Sequence, residues 1–197
     1  MQSILMKMFN RRASSGESKP EEVLEHLSIQ EGDTIADVGS GGGYFTLAFA
    51  RIVGETGRVY AIDTKAQNLD YVGKQAAGIG LHNVSTRLAQ ERRVDLPEGS
   101  VDLIFMRNVF HHIEEPSAYF AHLRPALKPQ GRISIIDYRP QQGLSFRALF
   151  GHSTPEDIIV SEMERAGYER IERFAFLPEQ TFNIFRAASA GNSADLE

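Results

Sequence analysis

Thr34-Ile35-Ala36-Asp37-Val38-Gly39-Ser40-Gly41-Gly42-Gly43-Tyr44-Phe45 decides the fold. It begins as a short β-type run, passes through five small residues from Gly39 to Gly43, and becomes an apolar helical stretch from Tyr44 to Val53. A strand handed to a helix through glycines brings backbone close to a ligand, because no Cβ stands in the way. The spacing narrows the ligand. A dinucleotide loop, G-x-G-x-x-G counted from Gly39, requires glycine where Tyr44 stands, and no Gly-Lys-Ser/Thr follows to make a P-loop. The pattern is instead D-x-G-x-G-x-G, from Asp37 through Gly39, Gly41 and Gly43.

Working outward, Pro20 to Leu27 reads as a helix, with Ser18 as its cap and Pro20 in its first turn. Arg58 to Ile62 is a second buried strand ending at Asp63, and Lys65 to Ile79 a helix with Leu69, Val72 and Ala76 on one face. Val84 to Leu88 is a weaker third strand, and Ala89 to Glu98 a charged loop. Val101 to Met106 is the fourth strand, Pro116 to Leu127 a helix, Lys128-Pro129-Gln130-Gly131 a turn, and Arg132 to Tyr138 the fifth strand. After a long loop, Thr154 to Ala166 is helical. Two strands, Glu169 to Leu177 and Thr181 to Arg186, close the chain as a hairpin through Pro178-Glu179-Gln180.

Strand–helix alternation ending in a hairpin predicts an α/β fold, a Rossmann-like three-layer sandwich whose seven-stranded sheet is mostly parallel with a C-terminal antiparallel hairpin. Residues 20–186 form the domain, 1–19 a mobile N-terminal arm and 187–197 a disordered tail. In such sheets ligands bind beyond the strand C-termini. Gly39–Gly43, Asp63, Ala89–Glu91 and Arg107–His112 each follow a strand, so they should gather in one cleft.

Composition removes other classes. The 197 residues carry a net charge of −5, which disfavours a general nucleic-acid binder. With no cysteine there is neither a disulfide nor a thiolate metal site nor a catalytic thiol. The opening residues make a poor secretory signal, since Arg11 and Arg12 follow the apolar part. No apolar run approaches the roughly 18 residues of a membrane span. A soluble cytoplasmic protein without a membrane partner is expected.

Asp37-Val38-Gly39-Ser40-Gly41-Gly42-Gly43 resembles motif I of class I S-adenosylmethionine-dependent methyltransferases. Asp63 stands where that family places its ribose-binding acid. Leu96 to Asp102 is similar to the family's lead into the fourth strand, Val109-Phe110-His111-His112-Ile113 to its post-strand histidine segment, and Leu127-Lys128-Pro129-Gln130-Gly131-Arg132 to its turn before the fifth strand. The resemblance covers roughly residues 20–186. It implies S-adenosylmethionine as cofactor, a methyl-transfer activity and a small-molecule acceptor. The cofactor-binding candidates are Asp37, Gly39, Ser40, Gly41, Gly43, Tyr44, Asp63, Thr64, Gln90, Glu91, Arg107 and Asn108.

The chemistry agrees. A carboxylate at Asp63 can accept from both ribose hydroxyls, although it could also cap the helix that follows. Asp37 can attract the cofactor's ammonium, or cap the glycine turn. The family's acid after the third strand is missing; Ala89-Gln90-Glu91 stands there, and Gln90 could meet the adenine amine through its side-chain carbonyl. Of His111 and His112, the catalytic candidates, one can serve as general base while the other packs, because neighbours on a helical turn point about 100° apart. No metal is expected. Phe9, Arg11, Arg12, Arg147, Phe150 and His152 could form a lid.

An S-adenosylmethionine-binding regulator without transfer activity, and a nicotinamide-dependent oxidoreductase, are the alternatives. The absence of an Asn-Pro-Pro-Tyr-like tetrad after the fourth strand disfavours methylation of DNA bases or glutamine. A homodimer stays open.

Overall fold

The computed structural model describes residues 2–90, 93–140 and 153–189. Along the chain run α1 (Gln2–Ala13), α2 (Pro20–His26), β1 (Thr34–Val38), α3 (Tyr44–Val53), β2 (Arg58–Asp63), α4 (Ala66–Gly78), β3 (Val84–Leu88), β4 (Val101–Arg107), α5 (Pro116–Leu123), β5 (Leu127–Tyr138), α6 (Glu156–Arg165), β6 (Tyr168–Phe174) and β7 (Gln180–Ala187). The strands form a seven-stranded sheet in the order β3-β2-β1-β4-β5-β7-β6. β1 to β5 pair in parallel, and β7 runs antiparallel to both β5 and β6. The strand order reverses between β1 and β4, which opens a crevice above their carboxyl ends. Among the described residues no helix is long and apolar enough to cross a membrane.

Side-chain alternation along each strand sorts the core into two layers. Ile35, Val59, Leu103 and Phe105 face α2 and α3, where Val23, Phe45 and Phe49 complete the packing. Ala61 continues that face under Leu69 and Val72 of α4. Ala36, Ile62, Ile104 and Ile133 face the other way, against Phe120 of α5 and Ile159 and Met163 of α6. The rings of Phe45, Phe49 and Phe105 sit 4.9–5.9 Å apart in tilted and edge-on pairs, a geometry their quadrupoles favour. This cluster fixes the start of α3 against β4, and so places the glycine loop.

Three expectations change. The segment read as an arm is helical from Gln2 to Ala13. Its serines explain why: Ser14, Ser15 and Ser18 donate their hydroxyls to the carbonyls of Arg11 and Arg12, groups the end of a helix leaves unpaired. Arg11 and Arg12 themselves lie at the negative end of the helix dipole. Ser18 is thereby taken away from α2, which begins after Lys19 at φ +42° with no side-chain cap. Finally, Lys128-Pro129-Gln130-Gly131 is no separate turn but an irregularity within β5. Val101 pairs with Leu127 and Leu103 with Arg132, so β5 carries extra residues there. Gly131 permits the close approach, since a Cβ would lie 2.8 Å from the Val101 carbonyl oxygen.

Candidate active site

A cleft of about 670 Å³ opens above the carboxyl ends of β1, β2 and β4. Of the residues singled out from the sequence, Gly39, Gly41, Asp63, Thr64, Gln90, Arg107, Asn108 and His112 line it. Asp37, Ser40, Gly43, Tyr44 and His111 do not, and Glu91 lies outside the described residues. So do Arg147, Phe150 and His152, while Phe9 of α1 lines the cleft and Arg12 lies 5.5 Å over the Tyr138 ring.

The glycine loop earns its composition through space rather than donors. The N–H groups of Gly39 and Ser40 both bond the Ile62 carbonyl, at 2.8 and 3.0 Å, and that of Gly43 bonds Ser40. The Gly41 N–H donates to Asp63 Oδ2 at 3.0 Å. What the loop lacks is side chains. A Cβ on Gly39 would meet Val109 at 2.3 Å, one on Gly43 would meet Val72 at 2.7 Å, and one on Gly42 would meet Asn10 of α1 at 2.3 Å. Gly39, Gly41 and Gly43 also hold positive φ, where other residues are strained.

Asp63 is 9 % exposed at the end of β2. Its Oδ2 accepts from Gly41 N–H and, at 3.1 Å, from Asn68 Nδ2; its Oδ1 accepts from Lys65 N–H at 2.9 Å. Three of roughly four lone-pair positions are thus used by the chain itself, and Oδ1, with one partner, is the less occupied oxygen. The carboxylate is both the helix cap and a wall of the cleft. Asn68 also lines the cleft; the sequence reading passed over it as an ordinary residue in the first turn of α4.

Asp37 is 3 % exposed and lies beneath the loop. Thr46 of α3 donates to its Oδ2. Burial, with the Asp63 charge adding to it against the Thr46 bonds, pushes the carboxyl up to about 7. Tyr44, at the start of α3, is likewise raised by burial.

Across the cleft, Arg107 ends β4. Burial brings its guanidinium down to about 10. Nη2 donates to the Ser18 carbonyl at 2.9 Å and to Gln180 Oε1 at 2.7 Å, and the Phe45 ring lies 5.2 Å away. Asn108 follows in the left-handed region at φ +58°. The 3-10 turn Phe110–His112 then presents His112 to the cleft and turns His111 inward. His111 bonds Asp137 Oδ1 through Nδ1 at 2.7 Å, and its N–H donates to Asp137 Oδ2 at 2.9 Å. The two imidazoles stand 4.1 Å apart. At another edge of the cleft, Gln90 is fixed by paired backbone bonds with Arg93.

A reversed-order α/β sheet with a glycine loop after its first strand and an acid ending its second is an arrangement whose ligands bind beyond the strand C-termini. The family described as methyltransferase domain matches residues 36–135, and the chain belongs to it: it is a class I S-adenosylmethionine-dependent methyltransferase. It resembles 2-phytyl-1,4-naphtoquinone methyltransferase of Trichormus variabilis, with 28 % identity over 80 % of this chain and 68 % of that protein. The ubiquinone/menaquinone biosynthesis C-methyltransferase UbiE of Teredinibacter turnerae is 27 % identical over 64 % of this chain. The chain spans 51 % of that UbiE protein. A solved S-adenosylmethionine-dependent methyltransferase from Aquifex aeolicus superposes with a TM-score of 0.80 and 27 % identity, covering 91 % of this chain and 95 % of the other.

Proposed function

We propose that this enzyme methylates a small-molecule acceptor in the cleft between the glycine loop and His112. The observation that carries the reading is Asp63, held at the mouth of the cleft by three of the chain's own donors with Oδ1 the less occupied oxygen. S-adenosylmethionine, when bound, supplies an activated methyl group on a positively charged sulfur. The residues fit that cofactor. Asp63 would take the ribose hydroxyls, Thr64 lies beside it, and Gln90 would take the adenine amine with Val109 and Ile113 against the ring. Gly39 and Gly41 leave room for the chain of atoms between them, and Arg107 and Asn108 meet the amino-acid end. Ser40, Gly43 and Tyr44 serve by shaping the loop from outside the cleft. Asp37 acts from below, as a carboxyl poised near neutrality that a nearby ammonium would ionise.

Methyl transfer demands alignment and exclusion of water more than proton chemistry. Where the acceptor carries a proton, His112 is the group that reaches it, since it lines the cleft. His111 serves as its anchor: bound twice by Asp137, it ties the turn after β4 to β5. The catalytic unit is 20–186, with α1 as cover through Phe9. A net charge of −5 supports an acceptor other than nucleic acid. Quinols are the first acceptors to try, because one similar protein is named a naphtoquinone methyltransferase and another a C-methyltransferase of ubiquinone and menaquinone biosynthesis.

Calorimetry with S-adenosylhomocysteine and with NAD tests the cofactor, and 1,4-naphthohydroquinone with S-adenosylhomocysteine release tests the acceptor class. Binding of NAD without S-adenosylhomocysteine would sink the reading. Binding of S-adenosylhomocysteine with no turnover across an acceptor panel would favour a regulator that keeps only the pocket.

A further inference from the structure

Arg107, Gln180 and Asn108 form a chain of hydrogen bonds whose direction is fixed at one end. A guanidinium can only donate. The 2.7 Å contact from Arg107 Nη2 therefore makes the Gln180 atom facing it the carbonyl oxygen. The other end of that amide, Nε2, must then donate, and it does so to Asn108 Oδ1 at 2.5 Å. With Oδ1 committed to Gln180, Asn108 turns its Nδ2 donors the other way. Asn108 lines the cleft. Its position is rigid: the backbone N–H is bonded to the Ile136 carbonyl at 2.8 Å, and the residue is held at φ +58°. Gln180 is 5 % exposed, so water does not compete for this arrangement.

The same cluster holds an unbalanced charge. Among the described residues no carboxylate pairs with Arg107, and its Nη1 is buried without a hydrogen-bond partner. A buried cation with unmet donors is costly unless a negative group joins it. Arg107 lines the same cleft as Asn108. The Arg107 guanidinium, with Nη2 already bound to Ser18 and Gln180 and Nη1 buried, and the Asn108 amide, whose Oδ1 is taken by Gln180, thus stand side by side at one space.

We propose that the Asn108 amide donor, backed by the charge of Arg107, forms a receptor for one anionic oxygen, a carboxylate or a phenolate-type oxygen, and that Gln180 is the positioning residue that fixes which end of Asn108 faces it. This rests on the cleft being the methyl-donor site. The oxygen has two sources of shared chemistry: the carboxylate of the donor's amino-acid end, or an ionised acceptor.

Gln180→Glu tests the inference. Glutamate still accepts from Arg107 but offers Asn108 no donor, so Asn108 reverses and presents Oδ1 to the cleft, while the new charge neutralises the guanidinium. Calorimetry compares S-adenosylhomocysteine, which carries the carboxylate, with 5′-deoxy-5′-methylthioadenosine, which lacks it. Sodium 4-hydroxybenzoate is titrated into the protein saturated with S-adenosylhomocysteine. If the donor supplies the oxygen, Gln180→Glu weakens S-adenosylhomocysteine tenfold or more and changes methylthioadenosine by less than twofold. If the acceptor supplies it, S-adenosylhomocysteine is unchanged, and hydroxybenzoate binds the natural protein at least tenfold more tightly than the variant. A merely structural Gln180 predicts the reverse signature: an equal or higher melting temperature, from pairing the buried arginine, with both affinities within twofold. That result overturns the proposal. Gln180→Met, which removes both amide bonds without adding charge, should weaken the same ligand by a smaller factor and decides the matter if the glutamate variant fails to fold. Should the natural protein bind neither adenosine compound, the methyl-donor reading fails by itself. Hydroxybenzoate titrated into the protein alone then reads the receptor directly, and equal affinity in natural and Gln180→Glu proteins overturns it.

Discussion

The two walls of the cleft are built on opposite principles. The β1–β2 wall is local: Asp63 is tied to Gly41, Lys65 and Asn68, the last two within five residues of it, and the loop N–H groups fold back onto Ile62. The β4–β7 wall is assembled from distant segments. Arg107 reaches Ser18 and Gln180, His111 reaches Asp137, and each bond joins parts of the chain 26 to 89 residues apart. A local wall is set once the strand and its turn form, whereas a long-range wall exists only when the whole sheet has closed.

Substitutions can break that contrast, and the largest effect is expected at Asp37. Its carboxyl is raised from 3.8 to about 7 by burial. The folded state therefore holds a proton that the unfolded chain releases, so the contribution of Asp37 to stability is fully present below pH 4 and is lost as pH rises through 7. The full swing is roughly 4 kcal/mol at 1.36 kcal/mol per pH unit. Asp37→Asn should lack this decline in urea unfolding between pH 4 and 8. Saturating S-adenosylhomocysteine should move the wild-type decline to lower pH if Asp37 meets the ammonium, and leave it in place if Asp37 only props the loop.

Next come two substitutions of similar size, one on each wall. Asp137→Ala removes the acceptor of His111 N–H, His111 Nδ1 and Tyr138 N–H in a fully buried place, and should cost about 3 kcal/mol of stability. Gly39→Ala combines φ +77° with a contact at 2.3 Å to Val109 Cγ2, for a loss of about 3 kcal/mol. Adding Val109→Ala should recover the steric part of it, leaving the strain of φ +77°, because the contact with Val109 Cβ would be an ordinary 3.6 Å. Gly39 and Val109 are where the two walls touch, so no recovery would show that they are not mechanically joined there.

The smallest effect is read in binding, in a variant that also loses the acceptor of Gly41, Lys65 and Asn68 and is therefore less stable. Asp63→Ala should weaken S-adenosylhomocysteine by about ten- to a hundredfold, the equivalent of a charge-assisted hydrogen bond, in calorimetry. An unchanged affinity would remove the first wall from donor recognition.

The same contrast governs what could be read from sequence. β1, α3 and β3 fall where the pattern put them, residue for residue, because buried runs and glycine punctuation are local signals. Asp63 was legible as a strand-terminal acid. Gln180 was not: it looked like part of the hairpin turn, yet β7 begins with it, and its partner Asn108 lies 72 residues away. His111 and His112 were legible as a pair, but their separate roles were not, since Asp137 on β5 decides which of them turns inward. The helical N-terminus was hidden by the polar segment that follows it, because the serines read as loop were caps.

Gly42 carries a consequence for how such a protein can change. A Cβ there would press on Asn10 Oδ1 at 2.3 Å and on the Met6 carbonyl at 2.7 Å, so its glycine is demanded by α1 rather than by the cleft. A lineage that lost α1 could accept alanine or serine at position 42; one that first gained alanine could no longer seat the helix. The order of the two events matters, and the helix and the loop are bound by epistasis even though each can be deleted on paper without touching the other.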